Sequence, residues 1–516
     1  MLISHKNKKL VLNLRDPSRV TTVIRGCKVL EYNGKRLVAV PHGNEEVRVL
    51  RNLGINAPAP IHTQYGWPGM FKPFYAQYHT AEFLTLNDRG FCLSEPGTGK
   101  TLSALWAYDY LRSIGQAKRL LIVAPLSTLE RAWADEIFSH MPHLTWAVLH
   151  GDKPKRLKML NSNADVFIIN HDGVKVIDDE LAAATMVDTV VIDEIATFRN
   201  PGSLLFKSMQ KIVKGRRRVW GLTGTPTPNE PTDAWAQCRL VVPERVPRFM
   251  GAFREQTMTK RSNYEWVARD TAIETVAQAM RPSIRFSRDE CSDLPECMVS
   301  TRAIEMSPEQ KKAYKNMTTQ LFADLQAGQV LAVNEAVKLG KLIQIASGAV
   351  RGPDGMVHRL PCSNRINELL DIIRGAASKV IVYVPHLAVI DHVKEEVEKH
   401  FTCEVINGGV SKSARDSILT AFQKGKDLKV LIAQPDTISH GLTLTAANTI
   451  VWYAPITSAE TYEQANARIT RPGQKLAQHI VHIEGSPVER RVYKRLKQKI
   501  SLQGILLDEI QGADQT

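Results

Sequence analysis

The chain has 516 residues, with 67 Lys and Arg against 53 Asp and Glu, a formal net charge of +14. Its 43% apolar and 23% charged residues are those of a folded protein, and the length suggests two to four domains rather than one. No run reaches the ~20 apolar residues of a membrane span, which disfavours a membrane or secreted protein, while the basic excess points towards polyanions. The opening 65 residues read as a small α+β module. Lys28–Tyr32, Asn33-Gly34 and Lys35–Val40 form a predicted hairpin, because Asn-Gly supplies the positive φ of a tight turn. A short helix follows, with Asn44 as its expected cap, Val47, Leu50 and Leu53 as its apolar face and Gly54 as its stop. The Pro-rich stretch from Asn56 to Ile61 reads as a linker.

From about residue 70, apolar runs alternate with helical patterns: Leu120–Ala124, Val166–Ile169, Thr189–Ile192 and Val219–Thr223. Runs of this kind are strands buried on both faces of a parallel α/β sheet. A more polar helical stretch, roughly 300 to 345, interrupts the rhythm before Lys379–Val384, Lys429–Ala433 and Thr449–Tyr453 resume it. The expected organisation is a module at 1–65, a first α/β lobe at 66–285, a helical connector at 286–350 and a second lobe at 351–516. Seven scattered cysteines, none at zinc-knuckle spacing, read as reduced, mostly buried thiols of a cytoplasmic protein. Cys291 and Cys297 have no nearby His pair, so no metal site is expected there. Lys214-Gly-Arg-Arg-Arg218 reads equally as a nucleic-acid patch or a solvated loop.

The sharpest motif is Ser94-Glu-Pro-Gly97-Thr98-Gly99-Lys100-Thr101, between the apolar Phe91-Cys-Leu93 and a helical pattern. It is a phosphate-binding loop with Ser where the usual pattern opens on Gly. The glycines let backbone amides wrap phosphates, Lys100 neutralises the β/γ oxygens, and Thr101 can ligate Mg2+ at a helix start. Downstream, Val190-Val-Ile-Asp193-Glu194 ends an apolar strand in two carboxylates. Asp193 suits the metal, and Glu194 suits the water that attacks the γ-phosphate.

Three further segments, Ala124–Thr128, Leu222-Thr-Gly-Thr-Pro-Thr-Pro-Asn229 and Gln464-Ala-Asn-Ala-Arg468-Ile-Thr-Arg471-Pro-Gly-Gln474, follow in an order that resembles the superfamily-two helicase-like ATPases. The match is closest to the Swi/Snf-like double-stranded DNA translocases and covers about residues 70 to 490. The resemblance implies two tandem RecA-like parallel-sheet lobes with ATP and Mg2+ in the cleft. It implies that Gln77 reads adenine, that Gln464 belongs to the nucleotide site, and that Arg468 and Arg471 are arginine fingers. Three residues apart, the two arginines are expected on one helix face. Pro125 and Ser127 in the first lobe, with Thr443 and Thr445 in the second, are the implied DNA-backbone contacts.

Two departures stand out. Asp193-Glu-Ile-Ala196 lacks the His that relatives often carry, and Ser439-His-Gly441 stands where they have more glycine and an Asn. At this length the resemblance implies a compact viral or prokaryotic repair or recombination factor, acting as a monomer on duplex or branched DNA in the cytoplasm, the host's if viral. A strand-separating DNA or RNA helicase and a non-catalytic nucleic-acid clamp remain the alternatives. The amino-terminal module is expected to help select the DNA structure.

Overall fold

β-branched and aromatic runs, bounded by polar or glycine-containing turns, set the strands along the whole chain. The computed structural model describes all residues except 33, 263–264, 288–289, 291–296, 327–331, 353–354, 439–443, 471–473 and 499–516, and the side chains of 131 and 320–338. The chain forms two compact units, one over residues 1–291 and one over 292–505. Among the described residues no helix is long and apolar enough to cross a membrane. The described cysteines are all free thiols, and of these Cys297 is exposed.

The first unit opens with β1 (Leu2–Ser4), β2 (Lys9–Asn13), β3 (Lys28–Tyr32) and β4 (Lys35–Pro41), an antiparallel sheet in the order β1-β2-β4-β3. The expected hairpin is present, with Tyr32 opposite Lys35 and Gly34 at φ +71°, while Asn33 lies outside the described residues. The next helix runs Asn44–Asn52, and its cap is Gly43 rather than Asn44. Asn44 is buried instead and reaches Gln116 at 3.4 Å, while Gly54 ends the segment at φ +78°. The predicted linker is no linker: Ala57, Ala59 and Ile61 are fully buried and Pro60–Gln64 is helical. The alternating small apolar residues between prolines pack inwards, so Leu10, Leu12, Val38 and Ile61 share one apolar cluster with Leu84, Leu105 and Ile122 of the lobe. The module is thus continuous with the lobe's core.

The main sheet of this unit comprises β5 (Arg89–Cys92), β6 (Arg119–Ala124), β7 (Trp146–Val148), β8 (Val166–Asn170), β9 (Val187–Asp193), β10 (Arg218–Leu222) and β13 (Ser283–Ile284), a hairpin of β11 (Met258–Lys260) and β12 (Trp266–Ala268) intervening. Its order is β13-β5-β10-β9-β6-β8-β7 and every neighbouring pair is parallel. β8 and β10 are buried along their whole length, as continuous apolar runs require. The basic run before β10 is in part a solvated turn, with Lys214 and Arg217 exposed, but its other two arginines point inwards. Arg216 is buried and donates to five backbone carbonyls, among them Ala184 (2.9 Å) and Leu181 (2.7 Å). Arg218, 1% exposed, pairs with Asp88 at 3.2 Å and donates to the Gln116 carbonyl. Only hydrogen-bonded or paired guanidinium groups tolerate such burial.

The second unit holds β14 (Cys297–Ala303), the hairpin β15 (Ala349–Arg351) and β16 (Val357–Arg359), then β17 (Lys379–Tyr383), β18 (Cys403–Ile406), β19 (Val430–Ala433), β20 (Ala447–Trp452) and β21 (Gln478–Glu484). Its six-stranded sheet, β14-β21-β20-β17-β19-β18, is also parallel throughout. The stretch expected to be a helical connector contains the helices Pro308–Gln326 and Ala332–Ser347, yet it begins with β14, the edge of this sheet. Arg365 and Glu489 form a fully buried ion pair at 2.8 Å, and the carboxylate also accepts from Gly485 and Ser486 amides.

Candidate nucleotide site

Parallel strands point their carboxyl ends to one edge, and in the first unit β5, β9 and β10 are neighbours there. Ser94 to Thr101 leaves β5 and enters the helix Lys100–Ser113. Gly97 (φ +96°) and Gly99 (φ +81°) occupy the left-handed region that a side chain disfavours. A Cβ on Gly99 would also lie 2.3 Å from Gln77 Nε2, so the glycine lets Gln77 pack against the loop. The Lys100 ammonium donates to the carbonyls of Ser94 (2.6 Å) and Glu95 (3.1 Å), folding back over the loop, and the Thr98 hydroxyl donates to Glu95 O at 2.8 Å. Ser94 has a use of its own: its hydroxyl accepts the Phe286 amide at 3.0 Å and ties the loop to the chain beyond β13.

Gln77 stands in the first turn of the helix Tyr75–Leu86, 3% exposed, its Oε1 accepting the Phe74 amide at 3.0 Å. Glu82 anchors that helix. It pairs with Arg51 and faces His62 (2.7 Å) and His79 (3.0 Å). Burial alone raises the Glu82 pKa, but His62, His79 and Arg51 together outweigh it and hold the carboxyl well below the usual carboxylate range.

Asp193 ends β9 in register with Leu222 of β10. Its Oδ2 accepts Trp133 Nε1 at 3.0 Å, its Oδ1 accepts the Glu194 amide at 3.1 Å, and its carbonyl accepts His171 Nε2 at 2.8 Å. Burial raises the Asp193 pKa against the opposing pull of Trp133, Lys100 and the Glu194 amide. A partly buried carboxylate of this kind, with the Lys100 charge acting on it, presents hard oxygen donors suited to a divalent cation. Glu194 is one of three described non-glycine residues at positive φ (+50°), and Thr223 at the end of β10 donates to its Oε2 at 3.4 Å. Strained backbone of this sort persists where surrounding contacts over-determine it. Gly224 keeps the β10 loop close to the phosphate loop, since a Cβ there would meet Pro96 Cδ at 2.8 Å.

Trp133, His171 and Thr223 were not singled out by sequence. Trp133 lies in a π-helical turn, Leu129–Ala134, a distortion often found at functional sites. Neither Trp133 nor His171 carries a local motif, and each reaches Asp193 from another strand-loop segment. Thr223 belongs to the quoted Leu222-Thr-Gly-Thr-Pro motif, without a role having been given to it. Ala196, in place of the relatives' His, is fully buried.

The remaining expected residues are scattered. Pro125 precedes the short helical turn Leu126–Thr128 and Ser127 is exposed on it. Thr445 accepts Gln423 Nε2 at 3.1 Å. Gln464 is buried in the helix Ala459–Asn466. Arg468, 3% exposed, lies in the turn after that helix rather than on a helix face, where the Leu444 amide donates to its carbonyl at 2.9 Å. Helical spacing misled here because the helix stops two residues before it. Gln474 brackets this turn, donating to the carbonyls of Ala447 (2.8 Å) and Ile469 (3.3 Å). Arg471 and Thr443 lie outside the described residues.

Residues 75–349 match the SNF2-related domain, and residues 364–473 the helicase conserved C-terminal domain. Protein p41 of Acyrthosiphon pisum secondary endosymbiont phage 1 is 26% identical, the match covering 80% of this chain and 93% of p41. YwqA of Bacillus subtilis (strain 168), named as an ATP-dependent helicase/translocase, is 25% identical over 88% of this chain, which spans only half of YwqA's length. The Sulfolobus solfataricus SWI2/SNF2 ATPase core in complex with dsDNA is 21% identical, covering 84% of this chain and 93% of that core, with a TM-score of 0.42.

Proposed function

The chain belongs to the SNF2-related family of ATP-hydrolysing enzymes, and from that premise we propose that it is a motor that spends ATP to move on duplex DNA and remodel branched or protein-bound DNA in replication, recombination or repair. The observation that carries the reading is that Lys100, beyond β5, and the Asp193-Glu194 pair, at the end of β9, lie at one edge of a single parallel sheet with β10 between them, near enough for the Lys100 charge to act on Asp193.

Loop amides and Lys100 bind the phosphates, and Gln77, packed on the loop, reads the adenine. Thr101 and Asp193 are the residues that would hold Mg2+, which would supply positive charge to offset that of the phosphates. Glu194, held by Thr223, orients the attacking water and accepts its proton. Arg468 and Arg471 supply charge to the transferring phosphoryl group, and Gln464 contributes to the nucleotide site. The contacts offered to the DNA backbone are Pro125, Ser127, Thr443 and Thr445, whose amides and hydroxyls suit sequence-blind phosphate binding. Binding, hydrolysis and release then alternate the grip on DNA.

Triplex displacement tests this directly. ATP-dependent release of a third strand from duplex DNA, without separation of a forked duplex, is the expected result. Unwinding of the fork would establish the strand-separating helicase instead, and neither activity in the presence of robust ATP turnover would end the motor reading.

A further inference from the structure

The net charge is far from evenly spread. Residues 1–41 carry nine Lys and Arg against two Asp and Glu, a net +7, half of the whole chain's +14. Eight of the nine basic side chains are exposed and the ninth, Lys9, is half-buried. Among the described residues only Arg36 of the nine is ion-paired, with Glu31 at 3.7 Å.

The antiparallel sheet sorts these residues by face. Leu10, Leu12, Val38 and Val40 are buried and belong to the core shared with the lobe. The alternate positions point the other way, since side chains along a strand alternate and cross-strand partners share a face. Along the edge strand β3 the outward positions are Lys28, Leu30 and Tyr32. Their partners on β4 are Ala39, Leu37 and Lys35, and Lys9 on β2 shares the face through Pro41. Tyr32 is 67% and Leu30 44% exposed. Ala39 is buried on this face, but its β3 edge is open and carries exposed Lys28 and Lys35 on either side of an exposed aromatic and an exposed aliphatic side chain.

We propose that this face is a second nucleic-acid site, taking a single-stranded stretch of DNA whose phosphates meet Lys9, Lys28 and Lys35 and one of whose bases stacks on Tyr32. Charge complementarity selects a polyanion. The exposed Tyr32 and Leu30 select a single strand over a duplex, because duplex bases hide their faces in the stack while an unpaired base offers a face to an aromatic ring. The inference needs no step of the ATP cycle, so it stands or falls by binding alone.

Its test is fluorescence anisotropy of the full chain without nucleotide, with labelled oligothymidine and blunt duplex titrated at several salt concentrations. Lys28→Glu with Lys35→Glu should weaken single-strand binding about tenfold or more. The slope of log K against log salt should fall by about 1.4, since each lost single-strand phosphate contact removes about 0.7. Tyr32→Ala should weaken single-strand binding about fivefold or more, with less effect on duplex. ATP turnover without nucleic acid should stay at the wild-type level in both variants, which checks folding. Single-strand affinity and salt slope equal to wild type would overturn the proposal. So would a loss confined to duplex, which would make the face a duplex-binding surface.

Discussion

The two units contain parallel sheets built from the same kind of strand, and they differ at the strand ends. In the first, β5, β9 and β10 run into the phosphate loop, the Asp193-Glu194 pair and Thr223, and Thr223 donates to Glu194 across the strand ends. In the second, β17 and β20 end in Tyr383 and Trp452, 4.7 Å apart. Their polar atoms serve the fold: Tyr383 OH donates to Ala465 O at 3.1 Å and Trp452 Nε1 to Asn466 Oδ1 at 2.9 Å. One architecture thus carries a phosphate loop and an acidic pair at one set of ends and an aromatic brace for the Arg468 turn at the other. The lesson is that the sheet positions whatever side chains its ends carry, and chemistry is read from those side chains.

The comparison breaks most visibly if the first sheet's ends are disabled. Lys100→Ala is expected to lower ATP turnover by about three orders of magnitude. Arg468→Ala is expected to lower kcat about 100-fold with nucleotide affinity nearly unchanged, because an arginine finger acts on the transition state. Phosphate release and nucleotide titration separate the two, and an unchanged kcat for Arg468→Ala would remove the second unit from the chemistry.

Next in size is the second unit's own core. Arg365→Ala should destabilise it by about 3–5 kcal/mol, since Glu489 would be left buried and unpaired. Differential scanning calorimetry reads the loss, and a Leu at both positions should restore much of it.

Acid sharpens the comparison further. Burial pushes His171 in the first unit down to about 4, and His386 and His482 in the second likewise. The unfolded chain then binds the proton that the folded chain refuses. Each histidine's contribution is complete above about pH 6.5 and is lost as pH falls towards 4, at up to about 3 kcal/mol apiece. Hydrogen exchange at pH 7 and pH 5, corrected for intrinsic rates, should show the second unit losing more protection than the first. Glu194 gives the smallest effect: Glu194→Gly should be more stable than Glu194→Ala by about 1 kcal/mol, because glycine accepts φ +50° without strain. Both variants should be inactive.

Much of the fold is legible in the sequence because buried parallel strands write themselves as apolar runs; β6, β8, β9, β10, β17, β19 and β20 all fall on predicted runs. The phosphate loop and Asp193-Glu194 are legible because their chemistry sits in contiguous residues. What escaped depends on contacts made across the chain. Trp133 and His171 meet Asp193 only through folding. Arg216 and Arg218 look like surface charge until the carbonyls and the Asp88 carboxylate that receive them are seen. The prolines at 58 and 60 suggest a spacer, whereas Ala57 and Ala59 beside them are core.

The central claim is that the first unit's strand ends hydrolyse ATP under the control of duplex DNA. The most direct measurement is steady-state phosphate release by wild type and Glu194→Gln with duplex DNA, single-stranded DNA, RNA or no nucleic acid. The account predicts turnover stimulated most by duplex DNA and abolished in Glu194→Gln, which should still bind ATP. Stimulation by RNA alone, or undiminished turnover in Glu194→Gln, would contradict it.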